Sequence, residues 1–161
     1  MVERLIFKEA IRMFLSKVIT LFVLMSLCLS AKATEIKDDQ KLKDSVEFER
    51  AGLLLVKKDN LPEAIEKFNK SISCNKSNIS AYHNMGLAQK LLGDKKGACA
   101  SFNNCGVLKL LRGRYSEAIE EFELALKLDP KYIQANDNIK IAREKLSSQV
   151  HNGNSVQRND K

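Results

Sequence analysis

Glycine, alanine and phenylalanine recur in step along this chain: Gly52, Ala64 and Phe68, then Gly86, Ala98 and Phe102, then Gly106, Ala118 and Phe122. All three markers advance by 34 residues at the first step and by 20 at the second. One shared alanine would mean nothing. Three residue types moving together twice define an internal repeat, which restricts the chain to a stack of similar units.

The composition of one unit says what it is made of. Phe48, Ala51, Gly52 and Leu55 fall at helical spacing, and Asp59-Asn60 then breaks the pattern. Pro62 stands where a second helix begins, a position at which its missing N–H costs nothing. Ala64, Ile65, Phe68, Ser71 and Ile72 form the stripe of that second helix. Two short helices, each polar on one side, bury their faces only by stacking on the next pair. Gly52 and Ala64 are small because two helices cross there.

With these residues in place, residues 111–130 resemble the second half of a tetratricopeptide repeat (TPR). They carry Gly113-Arg114-Tyr115, Glu117-Ala118-Ile119, Phe122, Ala125-Leu126 and Leu128-Asp129-Pro130. The stretch Ser80-Ala81-Tyr82-His83-Asn84-Met85-Gly86-Leu87-Ala88, with Leu92-Gly93-Asp94 after it, is similar to the first half. The resemblance covers residues 45–146. It implies an all-α solenoid of antiparallel helix pairs, about three repeats, with a C-terminal capping helix.

One departure from the family pattern stands out. Phe102-Asn103-Asn104-Cys105-Gly106 already reads as the opening of the third repeat, so fourteen residues are missing between the second and third. The expectation is a single helix over residues 96–111 where two would stand. Ala98, Phe102 and Cys105 on one side, with Ala100, Val107 and Leu111 on the other, predict that it is buried all round. TPR helices alternate direction, so one helix in place of two reverses the direction of every later helix. The helix over residues 116–128 is therefore expected beside the groove rather than behind it.

The first 33 residues suggest a compartment. In residues 18–29 only Thr20 and Ser26 are not apolar; Arg4, Lys8, Arg12 and Lys17 precede the run, and Ala31-Lys32-Ala33 follows. That order is the order of an export signal, with cleavage expected after Ala33. An uncleaved anchor over residues 14–31 is the alternative. Met13 is a second candidate start, and Leu27 is too bulky to precede a lipidated Cys28. Residues 1–33 hold five Lys or Arg and two Asp or Glu, so the net charge of +7 falls to +4 without them. Residues 34–44 read as a charged linker or helix extension. Residues 147–161 read as a disordered polar tail.

Catalysis has little to stand on. The two histidines are His83 and His151, and no nucleophile motif or phosphate loop occurs. Glu117, Glu120, Glu121 and Glu123 read as a solvated helix face. Cys74, Cys99 and Cys105 have no paired spacing, and neither a metal nor a cofactor is expected. Lys95-Lys96 and Arg112-Gly113-Arg114 flank turns without interleaved aromatics, which argues for solubility and against nucleic acid.

The resemblance implies a concave surface lined by the first helix of each pair. The residues expected there are Glu49, Arg50, Leu53 and Lys57, then His83, Asn84, Leu87 and Lys90. Asn84 falls where some TPR domains use asparagine against a peptide backbone or carboxylate. Glu49 and Leu53 stand where the rest of such a clamp would need lysine and asparagine. The function expected is a non-catalytic adaptor outside the cytoplasm, in a periplasm or cell envelope, that holds a segment of another protein. The alternative is a membrane-tethered assembly factor that forms homo-oligomers.

Overall fold

The computed structural model describes the backbone of residues 2–156, and the side chains of Lys17, Thr20, residues 22–27, Lys32 and residues 36–151. The side chain of Cys28 and residues 157–161, the end of the expected tail, lie outside the described residues. The chain divides into two units, residues 1–41 and 42–161. The described residues form six helices: α1 (Val2–Lys57), α2 (Leu61–Cys74), α3 (Ile79–Leu92), α4 (Lys95–Leu111), α5 (Tyr115–Leu128) and α6 (Ile133–Val156). In the first unit Phe22, Val23, Leu24, Met25 and Leu27 are all exposed. Among the described residues, no helix is long and apolar enough to cross a membrane.

In the second unit the repeat is visible in the backbone itself. The residues with positive φ are Asp59 (59°), Gly93 (87°) and Gly113 (73°), separated by the same steps of 34 and 20. Each ends a first helix in the left-handed conformation that glycine adopts freely and Asp tolerates. The next helix then starts after Asn60, Asp94 or Arg114, again in step. At each start the side chain reaches three residues on. Asn60 Nδ2 donates to Glu63 at 2.8 Å, Asp94 Oδ1 accepts from the Gly97 amide at 2.9 Å, and Arg114 Nε donates to Glu117 at 2.7 Å. Helix α4 therefore starts as the second helix of one repeat and ends as the first helix of the next.

A second set of contacts gives the same result. Ser71 Oγ donates to the Ser45 carbonyl at 2.7 Å, Cys105 Sγ to Ile79 O at 3.6 Å, and Cys99 Sγ to Ala125 O at 3.4 Å. Each pair is 26 residues apart and successive pairs are again shifted by 34 and 20. Cys105 makes the closing contact of the second repeat and Cys99 the opening contact of the third, on one helix.

The glycines of the repeat are where an aromatic ring lies on the neighbouring helix. A Cβ added to Gly52, Gly86 or Gly106 would stand 2.6, 2.9 or 2.5 Å from Cε1 of Phe68, Phe102 or Phe122. Leu61, Ala64, Phe68, Met85 and Ala88 form one core cluster. Ala98, Cys99, Phe102, Ala118, Phe122, Ala125, Ala135, Ile139 and Ala142 form the other, with α6 closing its end. Ala118 is fully buried. Ala118→Leu should therefore overpack, at a cost of about 1–3 kcal/mol, measurable as a lower urea midpoint. No change in midpoint would mean that this face of α5 is misplaced.

Two expectations need correction. Helix α4 is not buried all round: Ala100 and Leu111 are exposed, because they project from the outer side of the helix, away from the face that carries Ala98, Phe102 and Cys105 into the core. The tail is not irregular from residue 147, since α6 continues to Val156. A helix once anchored by Ala135, Ile139 and Ala142 propagates more easily than it nucleates.

Candidate functional site

The capping turn between α2 and α3 organises one wall of a cavity of about 630 Å³. Asn78 caps α3 by accepting from the Ala81 amide at 3.1 Å. Its Nδ2 donates to Glu49 on α1 at 2.8 Å and lies 3.0 Å from the Ser71 hydroxyl. Glu49 is thereby fixed at the rim. Asn75, Ser77, Ile79, Ser80, His83 and Asn84 continue the lining, and Lys109 and Arg112 of α4, with Arg114 and Glu121, complete it.

The floor is an ionic cluster drawn from three helices. His83 Nδ1 lies 3.0 Å from both carboxylate oxygens of Glu121, and Lys109 Nζ lies 2.7 Å from Oε1. A carboxylate only accepts, so both nitrogens donate to it. Glu121 is buried, with its side chain 5 % exposed, and Lys109 is only 12 % exposed. Burial alone would push the Glu121 carboxyl up, but the bonds from His83 and Lys109 outweigh it and hold it below its ordinary value. The His83 ring also stands edge-on to Phe102, with centroids 5.9 Å apart. Glu121 is thus not on a solvated face. Because α4 does the work of two helices and packs against both α3 and α5, Glu121 of α5 reaches His83 of α3.

Cys105 is fully buried beside this cluster. Burial, reinforced by the Glu121 carboxylate, pushes its thiol up to about 12. Cys99 is also raised, by burial first. All three described cysteines are free thiols and Cys74 is half-buried. Native protein treated with an alkylating reagent near pH 8 should therefore react at Cys74 ahead of Cys99 and Cys105, as read by peptide mass mapping. Equal rates at the three would contradict this burial.

Of the residues expected in the groove, Glu49, His83 and Asn84 line this cavity. Arg50 lines a second one of about 500 Å³, with Leu42, Lys43 and Glu47, and the two share Val46. Leu53, Lys57, Leu87 and Lys90 line neither. Sequence reasoning missed Lys109, Arg112, Arg114 and Glu121 as lining residues. Arg112 is not merely a solubilising charge at a turn, since its guanidinium donates to the Ser77 carbonyl at 2.7 Å across the cavity mouth. The Asn84 amide has no hydrogen-bond partner among the described residues.

Comparison with known proteins gives the same repeat twice. A family profile described as "TPR repeat" matches residues 52–93, and one described as "Tetratricopeptide repeat" matches residues 100–132. The chain is 29% identical over 113 residues to "Tetratricopeptide repeat protein 36" of Danio rerio, covering 59% of this chain and 60% of the relative. It is 29% identical over 112 residues to the Homo sapiens protein of the same name, covering 58% and 59%. The chain thus spans about 60% of the length of the curated relatives it matches. Among solved structures it is similar to the "Arabidopsis OM64 TPR domain", at 21% identity and a TM-score of 0.41 over 65% of this chain and 98% of that one. The "First TPR of Spaghetti (RPAP3) bound to HSP90 peptide SRMEEVD" is similar at 18% identity and a TM-score of 0.40, over 66% and 98%.

Proposed function

We propose that this chain, which belongs to the tetratricopeptide repeat family, is a non-catalytic protein-interaction adaptor whose cavity between α1, α3, α4 and α5 holds a segment of a partner protein. The observation that carries this reading is the cavity itself, about 630 Å³ and lined by polar groups, with the Asn84 amide unused. A segment that continues past Val46 would meet Arg50, and one that runs along α1 and α3 would meet Leu53, Lys57, Leu87 and Lys90. The test is an alanine series against the physiological partner. Loss of one contact to a charged group costs about 1–3 kcal/mol, or roughly five- to 150-fold in affinity. Asn84→Ala and Arg112→Ala should fall in that range, whereas Lys127→Ala and Lys131→Ala on the outer side should not. The reverse pattern would remove the cavity as the site.

Export is the second part of the proposal, supported by the basic, apolar and small-x-small order of residues 1–33. The stable cellular form should begin at Thr34 on N-terminal sequencing. Residues before Val18 on that form would instead favour an anchored protein. The exposed apolar band from Phe22 to Leu27 keeps that alternative open, in which the repeats assemble copies of the chain at a membrane. A discrete homo-oligomer in solution would mark that case.

A further inference from the structure

We propose that His83, Cys105 and Glu121 form a binding site for a divalent transition-metal ion, zinc in the first place, at the floor of the cavity. A ring nitrogen of His83, Sγ of Cys105 and a carboxylate oxygen of Glu121 all lie within 4.8 Å of one another. They come from α3, α4 and α5, so an ion would tie together the three helices that the shared helix brings into contact. Ligand bonds of about 2.0–2.3 Å put tetrahedral ligand atoms roughly 3.5 Å apart. Nδ1 and the carboxylate already stand 3.0 Å apart, and the Cys105 sulfur, within 4.8 Å of both residues' ligand atoms, would close in on the ion in exchange for its contact with the Ile79 carbonyl. One nitrogen, one sulfur and one oxygen suit zinc or cobalt and not calcium or magnesium. The cavity is lined by His83 and Glu121, with the buried Cys105 behind them, and gives the ion a way in.

Lys109 is the competitor. It occupies Oε1 of Glu121, supplying the positive charge that a buried carboxylate needs. It also lies 3.8 Å from Glu117, so it has a second acceptor to turn to when an ion takes its place. Lysine and metal are alternative counter-charges for one carboxylate. On binding, Cys105 releases its thiol proton to solvent and His83 moves its proton from Nδ1 to Nε2. The ion, a thiolate and a carboxylate then sum to zero charge with one proton released.

Cobalt(II) is the probe, titrated into the full chain after chelator treatment. We expect one equivalent bound, with a thiolate-to-cobalt charge-transfer band. Cys105→Ser should abolish that band and weaken binding by more than the roughly 10–100-fold typical of an outer-shell partner. Glu121→Gln should also weaken binding and decides the matter if the serine variant fails to fold. Lys109→Gln should tighten binding, on the order of tenfold, by removing a like charge next to the ion. No binding by wild type, a band that survives in Cys105→Ser, or weaker binding in Lys109→Gln would each overturn the site and point to an adventitious ligand such as Cys74 or His151.

Discussion

Phe102→Ala is expected to cost about 3–5 kcal/mol, the range for emptying a buried aromatic position. Few substitutions in this chain should cost more. The Phe102 ring is 1 % exposed, lies against Gly86 of α3, and belongs to the core cluster that α4 builds with α5 and α6. In an ordinary array one ring closes one repeat. Here it joins the second repeat to the third, and no other helix could take up the gap. Domain stability is only about 5–15 kcal/mol, so the variant should be close to unfolding at 25 °C. Leu111→Ala on the same helix is the control, since Leu111 is 76 % exposed and should stay within about 0.5 kcal/mol. Equal urea midpoints for the two variants would show that α4 does not serve both repeats.

The second large effect belongs to Glu121. Removing one partner of a buried ion pair costs about 3–5 kcal/mol when the other charge is left stranded. Lys109 and His83 border an open cavity and keep some access to water, so Glu121→Ala should fall near the lower end of that range. The same carboxylate makes a pH signature. Its folded pKa lies below the ordinary 4.5, so its contribution is fully present above that value and is lost as pH falls through the folded one. Chelator-treated wild type should lose stability in that acid window. Glu121→Gln, which keeps the shape, should flatten that limb of the curve. An unchanged acid limb in the glutamine variant would mean that Glu121 is not ionised in the fold.

These two residues also mark what could be read in the sequence and what could not. Phe102 was legible because its role is local and repeated. Gly86 and Phe102 stand sixteen residues apart, as do Gly52 and Phe68, and a crossing that admits no Cβ leaves a glycine behind each time. The shared helix was legible in the change of step from 34 to 20. Glu121 was not legible, because its neighbours depend on which helix α5 meets after the shortening. Within its own helix it sits among Glu117, Glu120 and Glu123, and only His83, 38 residues away, and Lys109, 12 away, reveal it as buried. Arg112 was hidden for the same reason, since its partner is the Ser77 carbonyl in another turn. Leu111 misled in the opposite direction: an apolar residue in a last turn carries no sign of whether a neighbour will cover it.

The groove is the centre of the functional reading, and site-specific photo-crosslinking in the native cell tests it most directly. A photoreactive residue at Ser80, an exposed position that lines the cavity, is compared with one at Lys127, an exposed position on α5 that lines none of the cavities described. A partner held in the cavity predicts a discrete protein adduct from position 80, diminished when Asn84→Ala or Arg112→Ala is added, and none from position 127. A discrete adduct from position 127 with none from position 80 would contradict it.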